Sequence, residues 1–324
     1  AFVFDTDESD SVLISGLTII NGNSANGGAI SISGEDPVFE NMIFRDNSSS
    51  GNGGAVYAND SYSSFTNCVF AGNDAIEGGA LYLGDGDVSL SHCTLLNNTA
   101  DDNSGIKNAS SGNLKVFNSI YWGNDDISGN VDVSYSNVMG GYSGTGNFNG
   151  RPGFTDAEND DLTLLNWSPM ISRGSTANFV SSDIIGTVRA ADAAPDLGAY
   201  ENTLNSPDTY SPVTWHVTTA GVDAVVYSNI ASASMPFNTL QWTMDHMLEG
   251  DSVIVDPGDH SGSADNWGKS VHLRGNTSAP DEVSILGELE FTDGSNSVNM
   301  LEVSNASGDG FNISGGLINI ANVL

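Results

Sequence analysis

The chain has 324 residues, and its eight Lys and Arg face 41 Asp and Glu for a net charge of −33. So few cations argue against nucleic acid as a partner, because phosphate binding needs clustered Lys and Arg, and against polybasic attachment to an anionic membrane. Hydrophobic residues still make up 39%, enough to bury a core, and no apolar run approaches the ~18 residues of a membrane span.

The first half repeats. Gly27-Gly28, Gly53-Gly54, Gly78-Gly79 and Ser104-Gly105 recur at steps of 26, 25 and 26. Asn41, Asn67, His92 and Asn118 form a second column with the same steps, and Asn47, Asn73, Asn98 and Asn124 a third. Apolar stretches of strand length lie between them, with no 3.6-residue spacing. A period of 25–26 built this way predicts a coil of short strands, each pairing in parallel with its counterpart one coil later, with a rise of ~4.8 Å. Asn tolerates left-handed turn geometry and its amide can hydrogen-bond along a stack, so both Asn columns are expected to be ladders.

The segments NSANGGAISI, FENMIFRDN, FTNCVFAGN, SHCTLLNN and SGLTII resemble the right-handed parallel β-helix repeats of secreted bacterial proteins, among them the polymorphic outer-membrane proteins. The resemblance covers about residues 11 to 141. It implies an all-β solenoid and an extracellular or bacterial cell-surface location. It says less about activity, because one scaffold serves adhesins, lyases and structural proteins.

On this reading residues 1–141 are β-helix coils. Residues 142–201, with Arg151-Pro-Gly-Phe154, Trp167-Ser-Pro169 and Asp196-Leu-Gly-Ala-Tyr-Glu201, resemble the segment that closes many such helices. Asp196 and Glu201 are read as tying down turns there rather than as a catalytic pair. Residues 202–212 read as a linker. Residues 213–324 read as the amino-terminal cap and first coils of a second β-helix. Apolar spacing predicts a short helix over 236–248, whose Phe237, Leu240, Met244 and Met247 cover its first coil.

The two ends of the sequence compare at an offset of 300, Leu17 facing Leu317 and Ile20 facing Ile320. Uncapped coils expose strand edges that seek a partner. The expected partner is the protein itself, stacked head-to-tail, with Phe2, Val3, Phe4, Leu13, Leu317 and Ile320 at the interface.

Chemistry is sparse. No cofactor is required by the sequence. Calcium is left open at loop carboxylates such as Asp5, Asp85, Asp87, Asp101 and Asp102, although the Asp5–Asp10 stretch lacks the Gly and Glu of an EF-hand loop. The five His are scattered and assemble no nucleophilic triad. Cys68 and Cys93 share a column and are expected as stacked free thiols. These features favour a non-enzymatic structural protein forming a stalk, fibre or filament. The alternatives are an adhesin or carbohydrate-binding surface module, for which Tyr57 and Tyr82 form a two-rung aromatic candidate, and, third, a polysaccharide lyase or glycosidase.

Overall fold

The computed structural model describes residues 1–5, 12–177, 179–191, 193–220, 238–247, 250–265, 270–277, 280–291, 295–303, 311–313 and 317–323. The chain divides into two compact units, Ala1–Thr155 with Leu162–Asp208, and Asp156–Asp161 with Thr209–Leu324.

The first unit is a parallel β-helix. Its first coil supplies β1 (Phe2–Phe4), β2 (Leu13–Ser15), β3 (Thr18–Ile20) and β4 (Asn23–Ser24). β1, β2 and β3 each begin a six-stranded parallel sheet and β4 a four-stranded one, and each later strand comes from the next coil. Register is kept at whole-coil steps: Ile30 pairs with Val56 and Val56 with Leu81, while Phe44 pairs with Phe70 and Phe70 with Leu95. Equivalent inward residues therefore stack. Phe39 lies 4.7 Å from Phe65, ring centroid to centroid, and Phe44 lies 4.9 Å from Phe70, both pairs stacked. Burying each such ring contributes ~1.5–3 kcal/mol, and stacking adds ~0.5–1.5 kcal/mol.

Each coil closes through left-handed turns, which explains the repeated Asn and Gly. Gly16, Asn41, Asn67, His92 and Asn118 occupy one corner at φ between 50° and 72°. Asn21, Asp46, Gly72, Asn97 and Gly123 occupy the next, at 53° to 64°. At a third corner the limit is space as well as torsion. A Cβ on Gly54 would lie 2.2 Å from the Gly79 carbonyl oxygen, so successive coils meet backbone to backbone there.

Beyond the last coil, residues 142–150 fold over the open core. Tyr142 packs against the hydrophobic cluster, and Asn147 accepts from Ser136 N and donates to Val133 O. Residues 165–177, 179–191 and 193–201 then return along the flank of the coils, where Gly198 N donates to Asn118 O at 2.9 Å and Ala199 N to Thr94 Oγ1 at 3.0 Å.

The second unit is also a parallel coil stack. Thr214–Val217, Ser252–Val255, His272–Gly275, Ser295–Val303 and Leu317–Val323 follow one another in one sheet. Helix α1 (Leu240–His246) packs its apolar side into this core: Leu240, Met244 and Met247 are buried with Trp215, Val217 and Ala264. It is shorter than the 236–248 stretch anticipated from spacing, and Phe237 lies outside the described residues. A buried carboxylate ties down the first strand. Asp251 accepts from three donors, Tyr210 Oη, Val213 N and Trp215 Nε1, at 2.7–2.9 Å, with the Tyr210 hydroxyl lying between its two oxygens.

Candidate functional site

Asn47, Asn73, Asn98 and Asn124 form a continuous amide ladder beneath the surface. In each step the upstream residue donates both its backbone N and its Nδ2 to the Oδ1 one coil later, at 2.7–3.1 Å. Each Nδ2 also donates to a carbonyl of the preceding coil: Ile19, Phe44, Phe70 and Leu95 respectively. Asn47, Asn73 and Asn98 are at most 1% exposed. The arrangement saturates the amides and leaves no group to act on a ligand.

Asn41, Asn67, His92 and Asn118 sit at the left-handed corner, and their side chains are divided between stack and strap. Asn67 Nδ2 donates to Asn41 Oδ1 at 3.2 Å and also to Ser182 O at 2.8 Å. Asn118 exchanges two 2.8 Å bonds with the backbone of Ser175. Its Nδ2 also lies 3.1 Å from His92 Nε2. As an amide nitrogen can only donate, Nε2 is the acceptor and Nδ1 carries the proton toward Ser91 Oγ. Burial, and then the nearby Arg189, lower the His92 pKa to about 3, so the ring is neutral.

Arg189 is the residue that sequence reasoning missed. It is 1% exposed, pairs with Glu201, and donates to the carbonyls of Asp196 and Gly198 at 3.2 and 2.8 Å. Asp196 accepts from Ser172 N and Asn202 N, and Asp183 accepts from Ile185, Thr187 and Glu201 N. Burial and then Glu201 push Asp196 up to about 7. A shifted carboxyl can signal an acid–base site. Here Asp196 is fully buried, and both its oxygens are occupied by turn amides, so the geometry is that of a clasp.

The coil end carries the interface candidates. Phe2, Val3 and Leu13 are exposed at 53%, 58% and 59%, and Phe4 is half-buried against Phe39. Register separates their roles. Phe2 and Phe4 pair with the buried Ile30 and Ile32 and so belong to the inward row, while Val3 pairs with Ser31 on the outward face. Leu13 pairs with Val38 and is not in the inward row; Ile14, paired with the buried Phe39, and Ile19, paired with the buried Phe44, are. Ile320 is exposed at 43% although it pairs with the fully buried Val298. Leu317 begins the same strand, opposite Ser295.

Cys68 and Cys93 are buried free thiols, and burial, then Cys93, raises the Cys68 pKa. The Tyr57 and Tyr82 rings stack at 5.6 Å on the outward face. Among the described residues, no group of three or more His, Cys, Asp or Glu gathers in a metal-binding arrangement, and no helix is long and apolar enough to cross a membrane.

Residues 4–146 match the family model described as "Right handed beta helix region". That match covers the coils of the first unit and, with the parallel coil stacks of the structure, supports a β-helix repeat protein. No curated protein and no solved structure matches it.

Proposed function

We propose that the protein is a non-enzymatic extracellular structural element of a bacterial surface, forming a stalk, fibre or filament by head-to-tail stacking of β-helix coils. The observation behind this reading is the first coil of the first unit. Among the described residues, β1, β2, β3 and β4 are each paired on one side only, and the inward row Phe2, Phe4, Ile14 and Ile19 is incompletely covered. A further coil in the same register would satisfy the strand edges and bury the row together. Ile320 is likewise an exposed apolar residue on a rung whose neighbour is buried. Contact of unlike surfaces gives an open filament unless the rotation closes a ring.

Sedimentation velocity over a concentration series, with negative-stain electron microscopy, tests this. Rods that lengthen with concentration, and that shorten in a Phe2→Lys variant, are expected. A single monomeric species throughout, unchanged by Phe2→Lys, would sink the proposal.

The second reading, an adhesin or carbohydrate-binding module, is favoured by the Tyr57–Tyr82 stack. Glycan-array binding that is lost in Tyr57→Ser with Tyr82→Ser would select it.

A further inference from the structure

The described cations of the first unit include three that are matched by carboxylates: Lys107 by Asp102 at 3.0 Å, Arg45 by Asp46 at 3.5 Å, and the buried Arg189 by Glu201. Arg274 in the second unit is placed differently. Its strand, His272–Gly275, buries Leu273, so alternation turns His272 and Arg274 to the outer face, where both are exposed. Among the described residues Arg274 makes no ion pair.

The face around it is concave and polar. A cleft of about 300 Å³ is lined by Thr214, Ser252, Ile254, His272, Arg274, Ser297 and Asn299, together with Val253 and Leu273 of the same rungs. Ser252, His272 and Ser297 stand side by side on three successive rungs, and Ile254, Arg274 and Asn299 form the adjacent row. No carboxylate is among the described lining residues, in a chain of net charge −33. His272 Nδ1 lies 3.0 Å from Ser297 Oγ, which holds the ring beside the guanidinium's row.

We propose that this face of the second unit binds a small oxyanion, the carboxylate, sulfate or phosphate group of a ligand sized to the cleft. A guanidinium offers two parallel N–H donors that match such a group. The imidazole and the hydroxyls of Ser252 and Thr214 add donors from neighbouring rungs, ~4.8 Å apart. The site is independent of coil stacking, because it lies on a sheet face rather than a strand edge.

Amide chemical shifts of the whole chain, titrated separately with inorganic phosphate, inorganic sulfate and glucuronate, provide the test. Saturable shifts centred on Ser252–Val255 and His272–Gly275 with at least one probe are expected. Which probe saturates separates a free inorganic ion from a sugar acid. Arg274→Gln, at an exposed position, is expected to weaken that binding about tenfold or more, the loss of a charge-assisted contact. Lys115→Gln, on the first unit, is expected to leave it unchanged. Shifts that fail to saturate with all three probes, or an Arg274→Gln protein that titrates like the parent, would overturn the proposal.

Discussion

The two Asn columns share a residue type and a spacing, and the structure uses them for different ends. The column at 47, 73, 98 and 124 turns inward and is satisfied by itself and by backbone. The column at 41, 67, 92 and 118 sits at a left-handed corner, and two of its members bond to the returning strap. Repetition along the axis thus dictates which residues stack. Whether a side chain facing outward also meets a non-repeating segment depends on contacts across as many as 115 positions of sequence.

The contrast can be broken hardest at Asn73. Leu there would remove the acceptor of the buried Asn47 N, one of the two acceptors of Asn47 Nδ2, and the Nδ2 donor to the Phe44 carbonyl. At about 1–3 kcal/mol for each unsatisfied buried group, a loss on the order of 4 kcal/mol is expected in urea unfolding of the first unit. A midpoint within error of the parent's would show that the ladder contributes nothing.

Asn118→Ala should cost less, about 2 kcal/mol, because it removes the Ser175 bonds and the His92 contact while the coils stay paired. Its sharper signature is local, namely faster proteolysis between residues 175 and 201.

His92→Asn restores the column's usual residue and isolates one pH term. The ring titrates near 3 when folded and near 6.5 when unfolded. Its contribution is therefore fully present above pH 6.5 and is lost as pH falls toward 3. Asp196 has the opposite sign: its folded value of about 7 lies above the unfolded 3.8, so its contribution is present below 3.8 and lost as pH rises through 7. Removing the imidazole should make the acid-side decline shallower than the parent's. Urea midpoints taken from pH 7 to pH 4 read this slope, and parallel curves would reject it.

The smallest effect is expected at Asn41→Gly. Gly keeps the φ of 55° at no steric cost, and only the 3.2 Å bond from Asn67 and a 3.5 Å approach to Ser15 are lost. A change of about 0.5 kcal/mol is expected from calorimetry.

The coil architecture was legible because its causes recur. Stacked Phe39 and Phe65, and Gly or Asn at left-handed corners, are demanded once per coil, so the period shows directly in the residues. Which residues of the first coil point inward was not legible, because strands of three residues do not reveal their own phase; pairing of Ile14 with the buried Phe39 sets it. Arg189 was missed because its partners, Glu201 and the carbonyls of Asp196 and Gly198, occur once and carry no period. Asp251 escaped for the same reason, as its ligands are a Tyr, a Trp and a backbone amide with no shared spacing.

The amide ladder has a direction and a terminus. Every carboxamide oxygen receives the backbone N–H of the earlier coil, and in the first coil the place of Asn is taken by Gly22, whose backbone N donates to Asn47 Oδ1 at 2.9 Å. A side chain cannot be restored there, because a Cβ would come within 2.2 Å of the Gly28 carbonyl oxygen. Any coil laid against that side would find no carboxamide oxygen at Gly22 to receive its own amide. Under tension along the axis, such a joint would hold by strand pairing and apolar contact alone. It would act as a mechanical fuse, parting before the interior of the stack.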